Sequence, residues 1–305
     1  MTPTVLRTPD ARFEGLPGFD FAPHYLDWEG LRVHHLDEGP RDGPVILLLH
    51  GEPTWCHLYS GVIPRLVAAG HRCIAPDLVG FGRSDKVALD DWYVVERHVE
   101  RIAHLVETLD LREATLVVQD WGGPIGLRQA VDHPERFARI FILNTWLHHE
   151  GFVYSEGVKR WHAMATDPAQ LGGDMPTGRI VAGTLLRPGH DKAAVVRAYD
   201  APFPDVCHKA GARRFPWCLP FSRPVEGNAA SQQRCFDALP RLGKPVHFAF
   251  GDADPIFTWE WAERWSTLVP GATLDRIAGA GHFVQADAPD DLATILLRHL
   301  GSARR

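Results

Sequence analysis

The sequence predicts an α/β fold with a mostly parallel central sheet, helices on both faces of that sheet, and an inserted helical cap. Three observations lead to this prediction. Short β-rich runs alternate with helical patterns in two blocks of the chain, which is typical of parallel sheets. The run VILLL at 45–49 is continuously apolar, as expected for a strand that helices cover on both faces. The stretch between the blocks, 148–222, contains no convincing strand and is rich in Trp, Pro, Gly and His.

The first block contains five predicted strands and one clear helix. The strands are predicted at 31–37, 45–49, 72–75, 115–119 and 139–143. The helix is predicted at 97–109, where the apolar residues fall at the spacing of one helical face. Those residues are Ile102, Leu105, Val106 and Leu109.

The second block runs from about residue 223 to the end of the chain. It contains predicted strands at 245–250 and 273–277 and a closing helix at 290–300. Pro289 and the acidic residues that follow it suit the first turn of that helix.

Chain length and composition bound the domain organisation and the class of partner. A chain of 305 residues fits either one large α/β domain with an insertion or two ordinary domains. We predict a main domain formed by 1–147 and 223–305, with the cap domain at 148–222. Hydrophobic residues make up 45% and charged residues 23%, as in globular proteins, and the net charge is −6. This composition argues against nucleic acid or a membrane surface as partner and favours a small molecule.

The cysteines and the chain start indicate a cytoplasmic, monomeric protein without metal or cofactor. No apolar run approaches the ~18 residues that span a bilayer, and the first residues lack the apolar core of a signal peptide. The five cysteines are widely spaced without a CxxC pair, which favours reduced thiols. The run LHHE at 147–150 lacks the HExxH spacing of a metal site. No long amphipathic or β-edge signal indicates an oligomer.

Candidate functional residues follow the predicted strands directly. In open parallel sheets, ligands bind beyond the carboxyl ends of the strands. Four turns at such positions carry polar or catalytic residue types. They contain the pair His50-Gly51, then Asp120, then Asp252 and Asp254, and finally His282.

Asp120 occupies the place where many hydrolases present a serine. The sharp strand-to-helix turn of those enzymes has the pattern G-x-S-x-G, and residues 118–122 here read VQDWG. An aspartate before a helix is often only an N-cap. However, Trp121-Gly122-Gly123 would be a poor first turn for an ordinary helix, so we interpret Asp120 as a nucleophile.

The two later turns provide partners for such a nucleophile. Either Asp252 or Asp254 could simply close its turn, and Asp254 is the better candidate to orient a histidine. His282 lies on a small-residue loop before the last helix. Its place completes the chain order of nucleophile, acid and histidine that α/β-hydrolases show.

With these motifs in view, nearly the whole chain resembles the haloalkane dehalogenases, which have the α/β-hydrolase fold. The resemblance rests on HGEPTW (50–55), APDLVGFGRSDK (75–86), VVQDWGG (117–123), YDAPFP (199–204), AGARRFP (210–216) and GHFVQ (281–285). It implies Asp120 as nucleophile, His282 as base, and Asp254 as the acid that orients His282. It also implies Trp121 as one halide-binding residue, and the backbone N–H groups of Glu52 and Trp121 as the oxyanion hole.

The resemblance also favours one branch of that family. A second branch has its acid after an earlier strand, where this chain has Asn144, so the acid is expected at Asp254. The glutamate of HGEP points to the same branch, in which the second halide-binding tryptophan comes from the cap. Trp161 lies at the matching place, and Trp146 and Trp217 are competing candidates.

A carboxylate suits attack on a saturated carbon that bears a halogen. Such a carbon has no carbonyl group, so it needs an anionic nucleophile, and an aspartate is ionised at pH 7 without a partner base. Two indole N–H groups aimed at one point can hold the departing halide without a metal. Water activated by His282 would then hydrolyse the alkyl ester of Asp120. The expected partners are therefore a small apolar halogenated substrate, water and a halide ion.

The sequence leaves three alternative functions to consider. Epoxide hydrolases share the aspartate, but their pattern needs cap tyrosines, of which this cap has only Tyr154 and Tyr199. Fluoroacetate dehalogenases usually have arginine after the nucleophile, where this chain has Trp121. A ligand-binding relative without catalysis often lacks a catalytic residue, and none is obviously missing here.

Overall fold

The computed structural model describes residues 3–301, which form ten strands and eleven α-helices. The strands are β1 (Val5–Leu6), β2 (His24–Trp28), β3 (Leu31–Glu38), β4 (Val45–Leu49), β5 (Arg72–Pro76), β6 (Lys86–Val87), β7 (Ala114–Val118), β8 (Phe137–Ile142), β9 (Val246–Gly251) and β10 (Thr273–Ile277). The helices are α1 (Ile63–Ala68), α2 (Val95–Thr108), α3 (Gly122–Asp132), α4 (Glu156–Thr166), α5 (Thr177–Thr184), α6 (Lys192–Asp200), α7 (Ala210–Trp217), α8 (Ala229–Ala238), α9 (Trp259–Thr267), α10 (Val284–Asp287) and α11 (Pro289–Gly301).

Eight strands form one sheet in the order β10-β9-β8-β7-β4-β5-β3-β2. The six strands from β10 to β5 pair in parallel, whereas β3 is antiparallel to both β5 and β2. The chain is therefore an α/β-hydrolase fold with a mostly parallel sheet, as the sequence predicts. The two short strands β1 and β6 form a separate antiparallel pair.

The central strands of the sheet are buried on both faces. Every residue of β7 is buried, and so are the last four residues of β4. These two strands pair in register from Ile46 opposite Thr115 to Leu49 opposite Val118. Because they run in parallel, the turns that follow them lie side by side at one edge of the sheet.

The helices cover the sheet through apolar faces. In α2, Ile102, Leu105 and Val106 are fully buried, as the predicted helical pattern requires. Among residues 3–301, every helix is too short or too polar to traverse a lipid bilayer.

The stretch between β8 and β9 contains helices and no strand in the structure. Four of these helices, α4 to α7, lie within the stretch that the sequence sets apart as a cap. The exact bounds of the two domains stay a prediction.

The sequence missed the edge of the sheet. Strand β2 was not predicted, because its residues are only partly buried and show no clean alternation of apolar and polar side chains. A partly buried edge strand has little periodic signal in its sequence. Strand β2 is recognised in the structure by its antiparallel pairing with β3.

Candidate active site

Asp120 lies on a strained turn between β7 and α3. Its φ angle is +49°, in the left-handed region that non-glycine residues rarely adopt. The turn is held by its neighbours, since the Asp120 N–H donates to the carbonyl of Asn144 at 2.9 Å. The hydroxyl of Thr145 donates to the carbonyl of Asp120 at 2.5 Å. These bonds fix a backbone that presents the carboxylate away from the sheet.

Gly122 allows the helix that follows to approach the sheet closely. A Cβ atom at this position would lie 2.5 Å from the carbonyl oxygen of Leu49, so only glycine fits. The N-terminus of α3 is thereby placed directly behind Asp120, where its positive dipole end stabilises an anion. This close packing explains the small residues that follow Trp121 in the sequence.

His282 lies between Asp120 and Asp254 in a buried chain of polar contacts. Nε2 of His282 lies 3.5 Å from Oδ2 of Asp120, and its Nδ1 donates to Oδ2 of Asp254 at 2.9 Å. All three side chains are buried. The structure thus brings together the nucleophile, base and acid candidates, in the geometry of a catalytic triad.

Asp254 is held by two further donors. The amide nitrogen of Asn144 donates to its Oδ2 at 2.9 Å, and the Ile256 N–H donates to its Oδ1 at 2.7 Å. Asn144 therefore supports the acid rather than replacing it. Asp252, the competing acid, accepts the N–H of Gly279 and lies 3.7 Å from Arg276, consistent with a turn-closing role.

The carboxylates of Asp254 and Asp120 raise the pKa of His282. Burial alone would lower the pKa of His282, but the charge of Asp254 and the hydrogen bonds to Asp120 and Asp254 raise it to about 10. The neighbouring carboxylates therefore favour the protonated form of the imidazole. Neutralising Asp120 would remove one of these influences and lower the pKa of His282.

Glu52 contributes more to the site than the sequence indicates. Its backbone N–H donates to Oδ1 of Asp120 at 2.8 Å, at the place expected for one half of an oxyanion hole. Burial, followed by the charge of Asp120, raises the pKa of the Glu52 side chain well above its usual value. The side chain lines the same cavity as Asp120, and its burial there favours the neutral form of the carboxyl group.

A cavity of about 70 Å³ opens above Asp120. Its lining residues are Glu52, Pro53, Asp120, Trp161, Ile180, Thr184, Ile256, His282 and Phe283. Apolar side chains make up most of this wall, and no lysine or arginine is among these described residues. Such a cavity suits a small, uncharged and apolar molecule.

The three candidates for the second halide-binding tryptophan have different environments. Trp161, on α4, lines the cavity. Trp146 is fully buried between Trp121 and Phe257, with ring centroids 4.8 and 4.7 Å away. Trp217 is 36% exposed at the protein surface. Of these three tryptophans, only Trp161 lines the cavity in which a ligand would contact Asp120.

Trp121 lies directly beside the nucleophile but outside the set of residues that line the cavity. It is buried, and its ring packs on Trp146 and Phe215. The sequence-based roles of Trp121, its backbone N–H in the oxyanion hole and its indole in halide binding, stay proposals. Gln119, which the sequence analysis did not single out, places its amide nitrogen 3.2 Å from Nε2 of His282.

Two other groups could have indicated different chemistry. Tyr154 and Tyr199 are buried, and neither lines the cavity above Asp120. In the described part of the chain, the side chains close enough to ligate one metal ion are His34, Cys56 and Asp77. Both carboxylate oxygens of Asp77 already accept hydrogen bonds, including one from Nδ1 of His34 at 2.7 Å, so this cluster is accounted for by internal bonding.

Together, the fold and this site define an α/β-hydrolase whose turn after β7 carries a carboxylate instead of a hydroxyl group. The family model for the alpha/beta hydrolase fold matches residues 44–184. A haloalkane dehalogenase from Psychrobacter cryohalolentis is 43% identical over 97% of this chain and 98% of its own. One from Mycobacterium marinum is 44% identical over 95% of this chain and 97% of its own. The chain therefore belongs to the haloalkane dehalogenase family.

A solved structure agrees with this assignment. The tetrameric haloalkane dehalogenase DpaA from Paraglaciecola agarilytica superposes with a TM-score of 0.89 at 35% identity. The match covers 97% of this chain and 98% of that one.

Proposed function

We propose that this protein hydrolyses haloalkanes to an alcohol and a halide ion through an alkyl ester of Asp120. The observation that carries the proposal is a carboxylate on the turn after β7, 3.5 Å from His282, that faces a small apolar cavity. Membership of the haloalkane dehalogenase family supports the same reaction.

In the first step, a carboxylate oxygen of Asp120 attacks the carbon that bears the halogen. The new C–O bond forms as the carbon–halogen bond breaks, and the bonding electrons leave with the halide. Trp161 and Trp121 are the proposed donors to the departing ion, because an indole N–H can donate but not accept. An apolar cavity strips water from the nucleophile and strengthens these interactions.

In the second step, His282 activates water. Esterification neutralises Asp120, so the pKa of His282 falls, the Nε2 proton passes to solvent, and Nε2 can then accept a proton from water. Asp254 orients the ring through Nδ1. Water then attacks the ester carbonyl as His282 takes one of its protons, and the N–H of Glu52 can stabilise the developing charge. The bond between the carbonyl carbon and the alkoxide oxygen breaks, and the alkoxide leaves as the alcohol with the proton from His282. The regenerated Asp120 passes the second water proton back to His282.

A halide-release assay tests the activity itself. We expect wild-type protein to release halide from at least some members of a panel of short chloro-, bromo- and iodoalkanes, with an equal yield of alcohol. Epoxides of similar size serve as the control, since an epoxide hydrolase would instead produce diols. Diol formation without halide release from any panel member would contradict the proposal.

The cavity also yields a prediction for halide binding. Replacing Trp161 with phenylalanine keeps an aromatic side chain but removes the N–H donor, so we expect bromide binding to weaken by about 10- to 100-fold. The measurement is a halide titration followed by intrinsic fluorescence. The matched control is Trp217→Phe at the surface, which should bind bromide as wild type does. Equal behaviour of the two variants would exclude Trp161 as a halide ligand.

The monomeric state and the cytoplasmic location expected from the sequence stay predictions. The similar protein from P. agarilytica is a tetramer.

A further inference from the structure

Asp287, the last residue of α10, binds two parts of the molecule that are far apart in sequence. Its Oδ2 accepts the N–H of Gly281 at 2.7 Å, and Gly281 directly precedes His282. The same oxygen accepts the N–H of Leu186, in the cap, at 3.0 Å. Its Oδ1 accepts the N–H of Arg187 at 2.9 Å and Nε2 of His190 at 2.8 Å.

This carboxylate is buried and has all of its acceptor positions occupied. Asp287 is only 3% exposed, and a carboxylate offers about four lone-pair sites for donors. Burial alone would raise the pKa of Asp287, but the N–H groups, that of Gly281 foremost, and His190 hold it below its usual value. A buried anion with four donors forms strong bonds that fix the position of each donor.

The cap segment 184–187 also contacts the histidine loop, which we define as residues 278–282, without the help of Asp287. Nη2 of Arg187 donates to the carbonyl of Ala278 at 2.7 Å. At Gly281, an added Cβ atom would collide with the carbonyl oxygen of Thr184, so the two backbones touch directly. The segment and the loop therefore form one packed unit, with Asp287 bonded to both.

The cap segment and the histidine loop, which Asp287 joins, each contribute a residue to the active-site cavity. Thr184, at the start of the cap segment, and His282, at the end of the histidine loop, line the same cavity. A displacement of the cap segment would thus be transmitted to the N–H of Gly281 and so to the imidazole of His282.

We propose that Asp287 is a positioning residue that ties the docked cap segment to the catalytic placement of His282. The inference rests on the proposed function, because it assigns Asp287 to the step that uses His282. Asp287 does not line the cavity and does not contact the reacting atoms. Its effect should therefore fall on hydrolysis of the ester and spare the displacement step, which needs Asp120 but no base.

Asp287→Asn tests this assignment. The amide keeps the shape of the side chain but turns one acceptor into a donor, which would face N–H groups and push the loop or the cap segment away. We expect decay of the alkyl ester to slow by about 10- to 100-fold, as a misplacement of about 1 Å can cost. The rate of the first halide release should stay close to that of wild type. Rapid-quench mass spectrometry of the Asp120 peptide measures both steps.

A matched control separates positioning from general destabilisation. Asp200 accepts the hydroxyl of Thr177 at 2.9 Å and the N–H of Gly178 at 2.8 Å, entirely within the cap. Asp200→Asn should leave ester decay unchanged. Loss of folded protein would lower the amplitudes of both steps together and would not prolong the life of the ester.

A second variant keeps the test decisive if Asp287→Asn does not fold. Arg187→Ala removes the bonds to Ala278 and leaves Asp287 intact, so ester decay should slow by a smaller factor. Unchanged ester decay in every variant that folds would overturn the inference. An ester that His282→Phe traps would at the same time show that the proposed function stands, whereas failure of that trap would count against the function itself.

Discussion

Replacing His282 with phenylalanine is expected to stop the enzyme after one displacement. Asp120 can attack without a base, so the variant should release halide in an amount equal to the enzyme and then stall. The alkyl group should appear as added mass on the Asp120 peptide. Phenylalanine has a similar size, and Asp254 would keep its bonds to Asn144 and Ile256, so the variant should fold.

The control for this experiment is a histidine outside the site. Nε2 of His104, on α2, donates to the carbonyl of Asp27 at 2.9 Å, and His104 does not line the cavity above Asp120. His104→Phe should turn over normally. If His282→Phe formed no adduct with a substrate that wild type turns over, the two-step mechanism would be wrong.

Asp120→Ala should abolish even the first halide release, because the only other carboxyl group among the described residues that line the cavity is Glu52, whose raised pKa favours the neutral form. The same variant has a second expected effect. It removes a hydrogen bond and a negative charge from His282, so the pKa of His282 should fall from about 10. Halide assays and an NMR titration of the imidazole measure the two effects.

Asp132→Ala is the matched control, since Asp132 ends the same helix at the surface and pairs with Arg234 at 2.7 Å. This variant should keep its activity and the titration of His282. Residual turnover in Asp120→Ala would show that another group carries the chemistry. An unchanged titration would show that Asp120 does not raise the pKa of His282.

If these variants behave as expected, the esterified state explains how one histidine serves both steps. Beside the carboxylates of Asp120 and Asp254, His282 favours its protonated form and presents no competing base during displacement. Once the ester forms, a charge disappears 3.5 Å from Nε2, and the ring becomes a base when water must be activated. The reaction itself thereby switches the histidine.

The sequence alone predicted the sheet and the triad candidates, because both depend on local patterns. Strands β4 and β10 have the predicted bounds, and other predicted strands shift by one or two residues. Asp120, Asp254 and His282 each follow a predicted strand. Since parallel strands end at a common edge, residues that are distant in sequence could be expected to meet there.

Only the tertiary structure distinguished among the three candidates for the second halide-binding tryptophan. Trp146, Trp161 and Trp217 all lie in aromatic-rich sequence, and nothing local separates a cavity wall from a packed core or the surface. Their environments depend on how helices such as α4 and α7 dock on the main sheet. Such docking is set by contacts between residues far apart in the chain, which a single sequence does not reveal.

The same physical limit applies to the charged groups. The sequence identified Asp120 as an anion beside a histidine, because its position after β7 and its motif are local features. The raised pKa of Glu52 and the bonds from Asp287 to both the cap and Gly281 arise only when distant segments exclude water around a carboxyl group. Residue type and position along the strands therefore determined what chemistry this chain can perform. Burial and long-range hydrogen bonds decided the protonation of each group and the placement of its partners.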